Sequence, residues 1–102
     1  MQIHVVLEGY VIIADTIGII AGILVLSSFI PQLYKAYKTK KMQDVSIYLM
    51  GLIASGMFLW VIYGLIRNDP VIVGTNISGF ILNIILIALK LRYDKLRKGE
   101  EA

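Results

Sequence analysis

The 102-residue chain contains no cysteine, one histidine and two prolines. Without cysteine it can form neither a disulfide bond nor a thiolate metal site, so the redox compartment cannot be inferred. His4 stands alone near the N-terminus, whereas a zinc site needs three or four protein ligands. We therefore expect no metal, no cofactor and no catalytic residue.

Charged residues are also scarce, whereas 58% of the residues are hydrophobic. Soluble domains usually hold roughly 45–50% apolar residues, and a domain this small has little interior to bury them. A lipid bilayer resolves this conflict and is the expected surrounding, rather than a nucleic acid. The first residues lack a basic segment, and Glu8 interrupts the early apolar run, so no cleaved signal peptide is expected.

Three uncharged apolar intervals cover residues 17–34, 45–66 and 70–89. Each is close to the roughly 20 residues that a helix needs to cross a membrane. The first helix is expected to begin near Tyr10, which gives predicted spans of 10–34, 45–66 and 70–91. The predicted fold is an all-α integral membrane protein, a single three-helix domain over residues 1–102. The alternative is that one interval is a buried soluble helix. Residues 93–102 form a charged tail that is expected to fray.

The basic residues predict the orientation of these spans. The positive-inside rule places basic connections in the cytoplasm. The C-terminal tail and the first connection are therefore expected inside, and the N-terminus and the turn 67–70 outside. Pro70 suits the first position of a helix, so the second and third spans should be antiparallel neighbours. The basic residues of the first connection and the tail are Lys35, Lys38, Lys40, Lys41, Lys90, Arg92, Lys95, Arg97 and Lys98.

Trp60 and Asn76 are the most informative polar residues within the spans. Trp60 precedes Arg67 by seven residues and Asn76 follows Asp69 by seven, which places both about 10 Å below the turn. An aromatic ring and an amide at one depth suit a sugar, whose C–H face stacks and whose hydroxyls hydrogen-bond. Two alternatives stay open: an interfacial role for Trp60 and a helix-to-helix hydrogen bond for Asn76. No charged residue lies deep in a span, which argues against proton or sodium coupling and favours passive passage of a neutral solute.

Tyr63, Arg67 and Asp69 form a second polar cluster at the turn. Arg67 and Asp69 are two residues apart and would not face each other on one helix. They can instead pair with a second subunit, and Tyr63 lies one turn below. The cluster is a candidate gate, and a solvated turn with an interfacial tyrosine is the alternative.

Further residues are candidates for helix packing. The small pairs Gly18 with Gly22 and Gly51 with Ser55 have the spacing of close helix contacts. Asn83 shares a helix face with Asn76 and is expected to tie helices together rather than to extend a polar wall.

Several motifs together resemble one known family. Pro31-Gln32, within PQLYKAYKTKKMQDVS, resembles the PQ motif of the PQ-loop superfamily. WVIYGLIRND and GTN follow in the order and spacing of the bacterial SemiSWEET sugar transporters, so that the resemblance covers residues 10 to 92. A PQ pair alone is weak evidence, but its combination with the residues at the turn and with Trp60 and Asn76 is specific.

The resemblance implies a parallel homodimer of six helices, with the first helix packed between the third and second in the order 3-1-2. Trp60 and Asn76 of both subunits would surround the sugar. Tyr63, Arg67 and Asp69 would close the outer side. By the same resemblance, Leu49 and Ile53 would narrow the inner side.

Pro31 has no N–H, so the carbonyl near Ser27 loses its helical partner and the helix can kink there. The resemblance implies that this kink is a hinge between outward-open and inward-open forms. Gln32 is expected to hydrogen-bond a neighbouring helix or the freed backbone. A static kink near the inner interface is the alternative.

The function implied is a passive sugar uniporter of the bacterial inner membrane, moving a mono- or disaccharide by alternating access. Three helices cannot enclose a sugar-sized path, so a homodimer is required. Two alternatives remain: a PQ-loop transporter of another small solute, such as an amino acid or organic cation, and a non-transporting membrane adaptor. A small multidrug exporter is disfavoured, because those need a carboxylate within the membrane.

Overall fold

A computed structural model describes residues 2–101 as four helices. They are α1 (Gln2–Ser27), α2 (Phe29–Thr39), α3 (Ile47–Ile66) and α4 (Pro70–Glu101). A break of one residue separates α1 from α2, and the two together form one membrane span. The described chain therefore has three spans that are long enough and apolar enough to cross a membrane. The predicted all-α membrane fold is confirmed. Met1 and Ala102, the ends of the predicted domain, lie outside the described residues.

The break between α1 and α2 lies at Ser28, three residues before Pro31. The Ser28 N–H donates to the carbonyl oxygen of Val25 at 3.1 Å, a tighter turn than an α-helix makes. Pro31 supplies no N–H to the carbonyl of Ser27, which weakens the helix within this turn. The kink therefore lies where the sequence predicted it.

A seven-residue loop, 40–46, connects α2 to α3. Lys40 ends α2 in the left-handed conformation, with φ of 55° and its N–H donating to the carbonyl of Ala36 at 2.8 Å. Ser46 begins the next helix, because its hydroxyl oxygen accepts the N–H of Leu49 at 3.2 Å. We call the end of the bundle that carries this loop the loop end.

The opposite end, the turn end, carries the short connection 67–69 between α3 and α4. Asn68 has a φ of 53°, which reverses the chain. Asp69 caps α4, because its Oδ1 accepts the N–H groups of Val71 and Ile72 at 3.1 and 3.2 Å. Pro70 then occupies the first helical position, as predicted, and α3 and α4 are antiparallel neighbours.

The third span, α4, lies between the other two. On one side Gly18 of α1 lies against Val71 and Gly22 lies against Thr75. Residue numbers rise in the same direction along both helices, so α1 runs parallel to α4. On its other side α4 packs along α3, whereas over the described residues the first and second spans do not approach each other closely. The order is therefore first, third, second, and the predicted order 3-1-2 is wrong.

Glycines explain which faces meet. A Cβ placed on Gly64 would lie 2.9 Å from a methyl of Val73, and one placed on Gly79 would lie 2.9 Å from Met57 Cε. These two contacts set the register of the seam between α3 and α4.

The predicted packing roles of the two small pairs have different outcomes. Gly18 and Gly22 do allow α1 to approach α4, since a Cβ on either would meet an α4 side chain. The same prediction for Gly51 and Ser55 is wrong within the protomer. No described atom outside the local helix lies within 4 Å of a Cβ on Gly51, and the exposed Ser55 donates to the Gly51 carbonyl.

The buried core is small and lies toward the loop end. Elsewhere large apolar side chains are exposed, as on α1, where Leu24 is 66% exposed. Apolar surface of this extent suits lipid or a partner subunit rather than water. The buried apolar cluster consists of Phe29, Ala36, Met42, Met50, Leu86 and Tyr93.

The charged tail is helical as far as Glu101, so the prediction that it frays is wrong. Tyr93 is buried in the apolar cluster, and Lys90 forms an ion pair of 2.8 Å with Asp94 one turn further on. These contacts continue the packed face of α4 beyond the apolar interval that the sequence delimits.

Candidate functional site

Five of the residues predicted to act in transport share one face of α3 and its C-terminal end. Leu49, Ile53, Trp60 and Tyr63 recur at intervals that keep them within about 40° of one line along the helix, and Arg67 continues that line. The stripe lies beside the buried stripe that faces α4, and all five side chains are exposed in the protomer. An exposed stripe with tryptophan, tyrosine and arginine is available to a solute or to a second subunit.

Trp60 and Asn76 lie at one level of the bundle. Trp60 is about midway between Met57 and Gly64, which mark the register of the seam on α3. Asn76 is midway between the residues of α4 that these two contact. The structure thus places the aromatic ring and the amide at one depth, as the sequence predicted.

Both residues also belong to the side of the seam that α1 covers. A Cβ on Gly79 would meet Met57 Cε at 2.9 Å and a methyl of Leu26 at 3.7 Å, so Met57 marks the side toward α1. Phe58 marks the opposite side, where its ring lies 6.3 Å from that of Phe80. At 100° per residue, Trp60 lies beyond Met57 and away from Phe58.

A groove of about 240 Å³ contains Asn76, and a separate shallow depression contains Trp60. In one protomer, therefore, the two predicted sugar ligands do not close a single pocket. Thr75, Asn76 and Gly79 of α4 share the groove with Met57 and with five residues of α1: Gly18, Ala21, Gly22, Val25 and Leu26. The Trp60 depression is lined by Gly56, Leu59 and Tyr63 as well.

The hydrogen-bonding capacity of Asn76 is only partly used. Its Nδ2 donates to the carbonyl of Ile72 in its own helix at 2.9 Å. Among the side chains described, those of residues 2–99, none donates to its Oδ1, so an acceptor and the second N–H remain for a ligand. The alternative role, a hydrogen bond to another helix, belongs instead to the buried Asn83, which donates to the carbonyl of Met50 on α3.

At the turn end no side-chain hydrogen bond or ion pair joins the three predicted gate residues within the described protomer. The ring of Tyr63 stacks edge-on against Trp60, with centroids 5.3 Å apart. Asp69 is engaged as the cap of α4, a role that sequence analysis missed although an aspartate followed by a first-turn proline signals it. In the described part of the chain the exposed Arg67 side chain forms no ion pair.

The predicted hinge residues lie at the break between α1 and α2. Gln32 Nε2 donates to the carbonyl of Ser28 at 3.4 Å, a long bond to the local backbone rather than to a neighbouring helix. Ser27 and Ser28 are exposed and donate their hydroxyls to carbonyls one turn back on α1. Neither serine lines the Asn76 groove.

A larger cavity, of about 480 Å³, opens at the loop end. We call it the loop-end cavity. The predicted inner-gate residues Leu49 and Ile53 are exposed and do not line it. Its walls come from α2 (Gln32, Lys35, Ala36, Thr39), the loop (Lys41, Met42, Asp44, Val45), α3 (Met50) and α4 (Leu86).

Lys90 was predicted only as one of the basic residues that mark the cytoplasmic end of the third span. The residue is 7% exposed and donates to the backbone carbonyl of Met42 at 2.8 Å. A signal was present in the sequence, because Lys90 follows Asn83 by seven residues and so shares its helix face, and Asp94 follows Lys90 by four. As for metals, no three His, Asp or Glu side chains among residues 2–99 are placed to hold an ion.

Comparison with known proteins places this geometry in a family. The PQ loop repeat family matches residues 13–73. The SemiSWEET sugar transporter of Leptospira biflexa is 34% identical over 85% of this chain and 96% of its own length. That of Bradyrhizobium diazoefficiens is 31% identical over 76% of this chain and 90% of its own. An uncharacterized protein of Methanocaldococcus jannaschii is 40% identical over 81% of this chain and 88% of its own.

A solved structure agrees with these sequence matches. The crystal structure of a bacterial homologue of SWEET transporters superposes with a TM-score of 0.77 at 38% sequence identity, covering 79% of this chain and 98% of that chain. The expected resemblance to the SemiSWEET transporters is thereby confirmed. A family match over more than half of the chain, relatives above 30% identity and a shared fold lead to one conclusion: this chain belongs to the PQ-loop family of membrane proteins.

Proposed function

We propose that this protein is a passive transporter of a neutral mono- or disaccharide, working as a parallel homodimer by alternating access. The observation that carries the proposal is the placement of Trp60 and Asn76 at one level and on one side of the α3–α4 seam. The SemiSWEET relatives, which are transporters and not enzymes, support a sugar as the solute. An aromatic face and a partly unsatisfied amide are the groups that a sugar needs.

The open shape of the Asn76 groove supports the proposal that a second subunit completes the sugar site. The Asn76 groove holds about 240 Å³, less than the roughly 300–1,000 Å³ of enclosed ligand pockets. A two-fold axis facing the exposed α3 stripe would bring two copies of Trp60 and two of Asn76 around one solute. We infer that the site is complete only in the dimer.

The turn end is assigned to the outside and the loop end to the cytoplasm of the cell membrane, because the loop and the tail carry most of the basic residues. Tyr63, Arg67 and Asp69 would close the outer mouth through pairing between subunits. Leu49 and Ile53 would close the inner mouth. The break at Ser28–Pro31 lies on the loop side of the sugar level, which suits a hinge that moves α2 while α1 stays packed on α4.

Uptake of labelled glucose and sucrose into proteoliposomes that contain only this protein tests the proposal. Wild type is compared with Trp60→Ala and Asn76→Ala, with and without a proton gradient. Ser78→Ala is the matched control, because its exposed hydroxyl bonds its own helix as Asn76 does but lies outside the Asn76 groove. We expect saturable uptake that ignores the gradient, is lost in both site variants and persists in the control.

Two alternatives predict other results. A non-transporting adaptor moves nothing when folded and purified, and a transporter of another small solute moves neither sugar. Either result from folded dimers would contradict the sugar proposal.

A further inference from the structure

Lys90 is the one buried cation among the residues whose side chains the structure describes. Burying an ammonium group is unfavourable unless its charge and its N–H donors are matched. Here Nζ lies 2.8 Å from Asp94 Oδ2 and 2.8 Å from the backbone carbonyl oxygen of Met42. An apolar side chain would fill the same space without needing these partners, so the amine has a specific role.

That role is directed at the loop. The carbonyl oxygen of Met42 accepts two hydrogen bonds, one from Lys90 and one, at 3.1 Å, from the N–H of Val45. The second bond closes the turn 42–45, and the first fastens that turn to α4. The Met42 side chain is buried in the apolar cluster, which holds the turn from its other side.

The fastened turn forms one wall of the loop-end cavity, α2 forms another, and Met50 and Leu86 complete the lining. α2 is an 11-residue rod between two interruptions, the break at Ser28 and the left-handed Lys40. A rod between two such points can tilt as a unit. Its far end is joined to Met42 by only two residues, so an anchor on Met42 limits how far α2 moves.

We propose that Lys90 is a positioning residue that fixes the loop just beyond the far end of the hinge helix, so that the loop-end cavity opens and closes by tilting of α2 against this fixed loop. The wall made by the loop, from Lys41 to Val45, then stays with α4 through the cycle. The place of this cavity on the sugar path rests on the proposed function, whereas the anchor itself does not.

Hydrogen exchange measured by mass spectrometry on the purified protein, without sugar, tests the anchor. In Lys90→Met we expect the Val45 amide to exchange about tenfold faster or more, the factor for loss of one charge-assisted hydrogen bond. The turn 67–69, at the other end of the bundle, should exchange as in wild type. Lys95→Met is the matched control, because it removes an exposed lysine of the same helix.

Two further variants keep the test decisive. Lys90→Arg keeps the charge and the donors and should restore protection of Val45. Asp94→Asn leaves the donor to Met42 in place but removes its counter-charge, so we expect protection between those of wild type and Lys90→Met. If Lys90→Met does not fold, this ordering is tested on the other two variants alone. Unchanged protection in folded Lys90→Met, or in Asp94→Asn where Lys90→Met fails to fold, would overturn the proposal.

A transport readout separates positioning from general damage. In proteoliposomes we expect Lys90→Met to shift the half-saturation sugar concentrations at the two faces in opposite directions, because loosening one mouth changes the balance between the outward-open and inward-open forms. Loss of folded protein lowers the maximal rate alone, and that result would contradict a role in the cycle. Because exchange is measured without sugar, a failure of sugar transport does not affect the test of the anchor.

Discussion

The side-chain amide of Asn83 donates a hydrogen bond of 2.8 Å to the backbone carbonyl oxygen of Met50 and so joins α4 to α3. Asn83 is 2% exposed, and the Met50 side chain belongs to the apolar cluster at the loop end. Gly64 sets the register of the same seam near the turn end. The two contacts together hold α3 and α4 as one unit, against which α1 and α2 pack.

Replacing Asn83 with leucine should lower stability, because leucine keeps the approximate volume but removes the donor to Met50. Hydrogen bonds between membrane helices contribute about 0.5–2 kcal/mol, so a decrease of that size in the free energy of unfolding is expected. Thermal unfolding in detergent measures it. Ser78→Ala, which removes an exposed bond within α4, is the control and should have little effect. An unfolding temperature equal to that of wild type would show that this bond contributes nothing.

Alanine at Gly22 should destabilise the protein, because its methyl group would overlap Thr75 and push α1 away from α4. Overpacking of this kind costs about 1–3 kcal/mol. Alanine at Gly51 meets open space and removes a glycine from a helix interior, so it should be neutral or stabilising by up to about 1 kcal/mol. Unfolding midpoints of the two variants provide the comparison. Equal losses would contradict the packing of α1 on α4.

Asp69 allows its capping role to be separated from its proposed gating role. Asparagine keeps a side-chain oxygen for the N–H groups of Val71 and Ile72 but removes the charge that would pair with Arg67 of a second subunit. Asp69→Asn should therefore unfold near the wild-type temperature while its sugar uptake changes. Asp69→Ala loses the cap as well, at about 0.5–2 kcal/mol. If Asp69→Asn transports like wild type, the negative charge has no part in the gate.

Pro31→Ala tests the hinge. Alanine at position 31 supplies an N–H that can donate to the carbonyl of Ser27. The break at Ser28 should therefore close, and α1 and α2 should form one continuous helix. We expect stability to be kept or raised while sugar uptake falls. Pro70→Ala is the control, because proline at the first helical position removes no helix hydrogen bond. Equal uptake by Pro31→Ala and wild type would favour the static kink.

Much of the architecture is set by short-range chemistry that can be identified from the sequence. Charged residues bound the apolar intervals because a bilayer excludes charge. The thickness of the bilayer sets how long each interval must be. The kink before Pro31 follows from one missing N–H, and the antiparallel return of α4 follows from a turn too short for any other path. The shared depth of Trp60 and Asn76 follows from the same return, because equal distances along two antiparallel helices lead to one level.

Only the tertiary structure decided which helix lies in the middle and which side chains meet there. Gly18, Gly22 and Gly64 turn toward α4, and Gly79 of α4 turns toward Met57 of α3, whereas Gly51, with the same local spacing, turns to open space. Close packing depends on which faces oppose each other in three dimensions, and a periodic pattern along one helix does not specify the facing helix. Lys90 shows the same limit. The sequence predicts a basic residue at the end of the third span, but only the folded loop brings the Met42 carbonyl to its amine.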